Sequence, residues 1–259
     1  MKYIILILIS IFAASPLFAQ SELAIINDKD GFTNLRAKQN GKSKVLRKIK
    51  KDELFYCEET DSDWWEAVYY TYKTGEIVGY IHKSRVQLFY DLPAETQKKR
   101  INTILVRQKK LALESNRLRA LQIYKDGKEA WPNEADRVAY EDVSKKRRLH
   151  QENKYETLLN SLPDYFCEQQ DGETLQLLFE LFDAEWETSC LETPTTVSAD
   201  IFVCNPKLIA KLIPNIKNPK TKNFIIETID YGLETIFQED DAEYASFKKK
   251  LDGVWVVKR

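Results

Sequence analysis

Apolar positions along this 259-residue chain fall into three successive textures. The first is an almost unbroken apolar run from Tyr3 to Phe12, preceded by Lys2 and followed by Ala13, Ala14, Ser15, Pro16 and Ala19–Gln20. A positive start, a short apolar core and small residues before a break are the pattern of a secretory signal peptide. The run is too short to span a bilayer stably. Residues 1–20 therefore read as an export signal cut near Ala19, which places the remainder in the periplasm or outside the cell. No later segment approaches 18 consecutive apolar residues, so no membrane association is expected after cleavage.

The second texture, Leu23 to Leu88, alternates with period two and is dense in turn residues. Strands are predicted at Ala24–Ile26, Phe32–Arg36, Val45–Ile49, Leu54–Cys57, Trp64–Tyr70 and Ile77–Ile81. Between them lie Asn27–Gly31, Asn40–Gly41 and Thr74–Gly75, all tight-turn signals in which glycine can adopt positive φ. Five or six short strands at this spacing make a small β-barrel over residues 21–90. Past Asp91 the apolar spacing becomes helical. Pro93 with Glu95 opens a helix running to about Tyr124, and Asp126–Gly127 ends it. Further helices are predicted at Asn133–Leu162, Thr174–Leu191, from the Asn205–Pro206 cap through Leu212, Thr221–Phe237 and Asp241–Leu251. Residues 91–259 thus read as an all-α domain, a bundle or a short helical repeat. The fold class is α+β and multidomain.

Two stretches carry a resemblance. Asp28-Lys29-Asp30-Gly31-Phe32-Thr33-Asn34-Leu35-Arg36 resembles the opening motif of the bacterial SH3 domain. Trp64-Trp65 followed by Gly79-Tyr80-Ile81-His82-Lys83-Ser84-Arg85 is similar to its final strand and exit turn. The likeness covers about residues 23–88, and implies an SH3-like barrel that holds cell-wall peptides or extended protein segments on an aromatic-lined groove. Phe32, Trp64, Trp65, Tyr70 and Tyr80 are the candidate ligand-binding residues, because aromatic faces bury large area at low entropic cost. Period two sets Trp64 and Trp65 on opposite faces. Asn34 and Arg36 read as ties between a turn and the barrel.

Composition adds exclusions. Net charge is −1 with 43% hydrophobic and 31% charged residues, which calls for neither nucleic acid nor an anionic membrane. The average hides an asymmetry: residues 94–155 carry 16 Lys/Arg against 9 Asp/Glu, whereas residues 156–206 carry 11 Asp/Glu and no Lys or Arg. Either the two stretches face each other or water, or the acidic helix, with Glu180, Asp183, Glu185 and Glu187, meets a cationic partner. Of the four cysteines, Cys190 and Cys204 flank a polar Thr/Pro stretch and are the expected disulfide; Cys57 and Cys167 complete the set. The other reading keeps all four as buried thiols.

Catalytic constellations are missing. His82 and His150 are the only histidines, and neither follows Cys167, Cys190 or Cys204 in the chain. No zinc-ligand spacing, glycine-rich phosphate loop or Gly-x-Ser-x-Gly elbow occurs, so no catalytic residue, metal or cofactor is expected. Glu185 and Glu187 point in different directions on a helix and make a poor acid/base pair. The expected function is a non-catalytic exported binding protein, its barrel recognising a peptidoglycan peptide or protein segment and its helical domain a second protein. Two alternatives stand beside it: a secreted inhibitor or immunity protein acting through the acidic Glu180–Glu192 helix, and a glycan-cleaving enzyme with an SH3-like targeting domain.

Overall fold

The computed structural model describes residues 21–71, 75–125, 128–185, 192–237 and 242–256. Seven antiparallel strands come first: β1 (Glu22–Ile26), β2 (Phe32–Arg36), β3 (Val45–Lys50), β4 (Leu54–Glu58), β5 (Trp64–Thr71), β6 (Gly75–His82) and β7 (Val86–Leu88). They form one sheet in the order β3-β2-β6-β5-β4-β1-β7. The β1–β2 turn closes where the Asp28 side chain accepts from the Asp30 amide at 3.0 Å and Gly31 takes φ 74°, a left-handed conformation that glycine adopts without strain. At Gly79 the reason for glycine is space instead. A Cβ there would stand 2.7 Å from the Arg36 carbonyl oxygen of β2.

Alternation divides the strands cleanly. On the inner face Ala24, Ile26, Leu35, Ile49, Phe55, Cys57, Ala67, Tyr69, Ile81, Val86 and Leu88, drawn from all seven strands, meet in one core. On the outer face Leu23 and Ile25 of β1 and Leu54 of β4 join the helical core instead. Strand β1 is therefore buried on both faces, which is why it reads Leu-Ala-Ile-Ile rather than alternating.

Helices follow: α1 (Ala94–Arg119), α2 (Glu134–His150), a π turn (Gln151–Tyr155), α3 (Glu156–Leu159), α4 (Leu162–Glu168), α5 (Gly172–Glu185), α6 (Glu192–Cys204), α7 (Pro206–Leu212), α8 (Pro219–Ile236) and α9 (Ala242–Val256). An antiparallel sheet followed by helices is the α+β arrangement expected from the pattern. Asn205 caps α7 as the Asn-Pro signal implies, accepting from the Leu208 amide at 3.2 Å, while its own amide donates to Phe166 O at 2.7 Å.

Three expectations are corrected. The first helix stops at Arg119, and Ile123–Lys125 pairs with Lys128–Ala130 as a small hairpin, β8–β9. Ile123 and Tyr124 favour extended backbone, and without core contacts nothing compensates for this preference in a helix. The polar Thr/Pro stretch before Cys204, expected to link two helices, is itself helical from Glu192 as α6; the expected continuation of the preceding helix to Leu191 lies, past Glu185, outside the described residues. Finally, Cys204 is bonded to Cys167, with Cα atoms 5.4 Å apart, and not to Cys190, which lies outside the described residues. Thirteen residues of α6 carry Cys204 about 18 Å from the helix start, to the end of α4. Cys57 is a buried free thiol, pushed up to about 12 by burial.

The π turn is where helices and sheet lock together. Tyr69 donates its hydroxyl proton to Asn153 Oδ1 at 2.6 Å, and Arg47 Nη2 donates to Tyr69 Oη at 2.8 Å and to Asn153 Oδ1 at 3.2 Å. One turn on, the Tyr56 hydroxyl donates to Thr157 O at 2.8 Å, and Tyr90 donates to Ser161 O. A π turn widens the helix locally and re-aims its side chains; here it turns Asn153 toward Tyr69. Among the described residues no helix is long and apolar enough to cross a membrane.

Candidate functional site

The outer face of β2, β5 and β6 carries four of the five candidate aromatics, Phe32, Trp64, Tyr70 and Tyr80. Trp64 lies opposite His82, Glu66 opposite Tyr80, and Arg36 opposite Tyr80, so these side chains share one face of β2, β5 and β6. Phe32 and Trp64 line a groove of about 350 Å³ together with Asn34, Arg36, His82 and Arg85. The Trp64 and His82 rings meet edge to face with centroids 5.4 Å apart. His82 Nδ1 accepts from the Ser84 amide at 3.4 Å, and the Lys48 ammonium stands 3.3 Å over the Phe32 ring. Asp28 and Arg85 form an ion pair in the groove wall. The Asp30 amide first, then Arg85, holds the Asp28 carboxyl below the usual carboxylate range. Arg36 donates to Ser43 O at 2.8 Å, tying the β2–β3 turn.

The other three aromatics are not brought into this groove. Trp65 faces inward, packs against the sheet core and donates Nε1 to Thr60 O at 3.2 Å. Tyr70 is exposed and meets Tyr56 edge-on at 6.2 Å. Tyr80 shares the outer face without lining the groove.

The acidic candidates Glu180, Asp183 and Glu185 are met from within the fold. Lys109 of α1 reaches Glu180 at 2.5 Å, and Lys98 reaches Asp171 and Glu173 at 3.1 and 3.2 Å. Asp183 accepts from Thr221 Oγ1 at 2.8 Å. Glu185 is only 2% exposed; it accepts from Gln108 Nε2 at 2.6 Å and from Arg147 Nη2 at 3.0 Å. Glu187 lies outside the described residues. The basic α1 and α2 thus face the acidic α5, the first of the two readings of the charge asymmetry.

A larger cleft, about 570 Å³, opens beside this buried pair, between α1, α2, the π turn, α3 and the start of α6. Its lining includes Tyr140, Ser144, Arg147, Tyr155 and Glu185. Sequence reasoning missed it because Arg147 sits inside the Lys145–Arg148 cluster and looked solvated. A signal was present: Tyr140, Ser144, Arg147 and Gln151 recur at i, i+4, i+7 and i+11, one polar stripe on a helix face.

No protein-family model, curated protein or solved structure matches the chain. Among the described residues, no three His, Cys, Asp or Glu side chains are grouped so as to hold a metal ion. The groove can stack an extended or ring-bearing ligand on Trp64 and Phe32 and offer it hydrogen bonds from Asn34 and His82. The cleft can enclose a smaller one.

Proposed function

We propose that this chain is an exported, non-catalytic binding protein whose residues 22–88 act as an SH3-like barrel. The barrel holds a peptidoglycan stem peptide or an extended protein segment in the groove between Phe32 and Trp64, and the helices serve a second protein partner. The observation that carries this reading is the convergence of Phe32 and Trp64, 32 positions apart in sequence, in one open groove. Half-buried aromatics without an apolar covering partner are the usual anchors of a binding surface. Export, to the periplasm or beyond, is supported by the apolar pattern of residues 1–20, and the Cys167–Cys204 disulfide suits an oxidising compartment. The inhibitor reading draws less support, since Glu180 and Glu185 already answer Lys109 and Arg147.

The test is retention on purified peptidoglycan sacculi, comparing the wild type with Trp64→Ala. Truncating a central aromatic anchor weakens binding by about 2 kcal/mol, roughly 30-fold. Retention should therefore be lost in the variant while its thermal unfolding stays cooperative. Equal retention of wild type and Trp64→Ala would remove the groove from the reading, and no retention of the wild type would remove the cell wall.

A further inference from the structure

Residues 32–51, which span β2, the β2–β3 turn and β3, carry eight Lys/Arg and no Asp or Glu. Among the described residues only Arg47 of the eight forms an ion pair, with Glu53 at 3.7 Å. Lys38, Lys42 and Lys44 stand exposed in the turn, whose Gly41 lines the sheet groove. Lys48 is exposed as well, and its ammonium stands over the Phe32 ring at the groove floor. Like charges collected in one hairpin repel one another. Lysines on the edge strand β3 have an ordinary use, since they discourage pairing with another chain. That use does not extend to the turn lysines, nor to Arg36, which sits on β2 between β3 and β6.

Arg36 lines the groove itself. Its Nη1 donates to Ser43 O at 2.8 Å, which fixes the guanidinium, while Nε and Nη2 meet no acceptor among the described residues. A guanidinium held in place with donors to spare is a receptor for a carboxylate, which it can grip at two points. The groove's own carboxylates leave it open. Asp28 is answered by Arg85, and Asp30 lies with Asp28 at the β1–β2 turn. The length of β2 separates that turn from Arg36 by about 13 Å, four residue steps of ~3.3 Å each. The groove is therefore acidic at one end and basic at the other. We propose that its occupant is an acidic extended peptide, with an apolar side chain on Trp64 and Phe32 and its carboxylates against Arg36 and the lysines of the β2–β3 turn. The inference rests on the groove reading above and narrows it from any extended segment to one that bears carboxylates. Charge complementarity of this kind chooses among partners more than it adds tightness, so neutral and basic segments are the ones refused.

The purified protein is titrated with the blocked peptide acetyl-Glu-Phe-Glu-Phe-Glu-amide and with its counterparts carrying Gln or Lys in place of Glu, by ligand-observed NMR. The Glu peptide should bind about tenfold tighter than the Gln peptide, and the Lys peptide should bind more weakly than either. Raising salt from about 0.05 to about 0.5 M should remove most of that preference. Arg36→Gln, and separately the triple variant Lys38→Gln, Lys42→Gln and Lys44→Gln, should each cut the preference about threefold or more and leave the Gln peptide unaffected. The triple variant changes only exposed turn residues, so it answers even if Arg36→Gln loosens the turn. Trp64→Ala should weaken the Glu and Gln peptides together. Equal binding of the Glu and Gln peptides, both weakened by Trp64→Ala, would leave the groove standing and sink this inference alone. A preference that survives both charge variants would sink it too. Glu-peptide binding that Trp64→Ala leaves unchanged would overturn the inference and the groove reading together, since charge alone would then attract the peptide. If no peptide binds, the inference falls and retention on sacculi still judges the groove.

Discussion

Replacing Gly232 by alanine is expected to force apart α6 and α8, which pack closely against each other. Gly232 is buried on α8, and a Cβ there would stand 2.2 Å from the Thr195 carbonyl oxygen and 2.7 Å from the Ala199 Cβ, both on α6. Carbon and oxygen in contact sit about 3.3 Å apart, so the clash is roughly 1 Å deep. The obstacle is backbone, and no rotamer change removes it. Helix α8 must shift, and it carries the buried Ile225, Ile229 and Leu233 with it. Overpacking alone costs about 1–3 kcal/mol, and the gaps opened by the shift put the expected loss near the upper end, about 3 kcal/mol. For a chain of this size that is a fall in Tm of about 6–12 °C, read by circular dichroism at 222 nm. Gly253 on α9 supplies the contrast, because nothing lies within 4 Å of a Cβ at that position. Gly253→Ala should raise stability by about 0.5–1 kcal/mol, through helix propensity alone. The reasoning fails if Gly232→Ala melts within about 2 °C of wild type, or if both substitutions shift Tm in the same direction.

Reducing the Cys167–Cys204 bond, which closes a separation of 37 residues, should lower stability by about 4 kcal/mol on the chain-entropy account; urea unfolding with and without dithiothreitol measures it, and an unchanged midpoint would refute it. His150, half-buried and donating from Nε2 to Ile104 O at 3.0 Å, has its pKa lowered from 6.5, by burial first and then by Lys154 and Arg107, against the Ile104 carbonyl and Asp52. Because the folded state binds the proton less readily, its contribution is complete above about pH 6.5 and is lost as pH falls below that value. Urea midpoints at pH 7 and pH 5 should therefore differ less for His150→Gln than for the wild type, and an equal difference would count against this assignment.

Local physics made much of this protein legible from its sequence. Period-two alternation places the strands and sends Trp64 and Trp65 to opposite faces, because a side chain in an extended chain has only two directions to take. Asn205–Pro206 announces α7, since an amide-accepting side chain followed by a residue without an N–H satisfies a helix start by itself. What only the tertiary structure decided is pairing at long range. Glu185 and Arg147 each look like solvated helix charges, and they become a buried pair only when α2 and α5 close on each other. Cys204 meets Cys167 because α6 runs back to α4. Phe32 and Trp64 share a groove through the order of strands that no single strand encodes. Hydrophobic spacing records whether a position is covered, and the identity of what covers it is a property of the assembled chain.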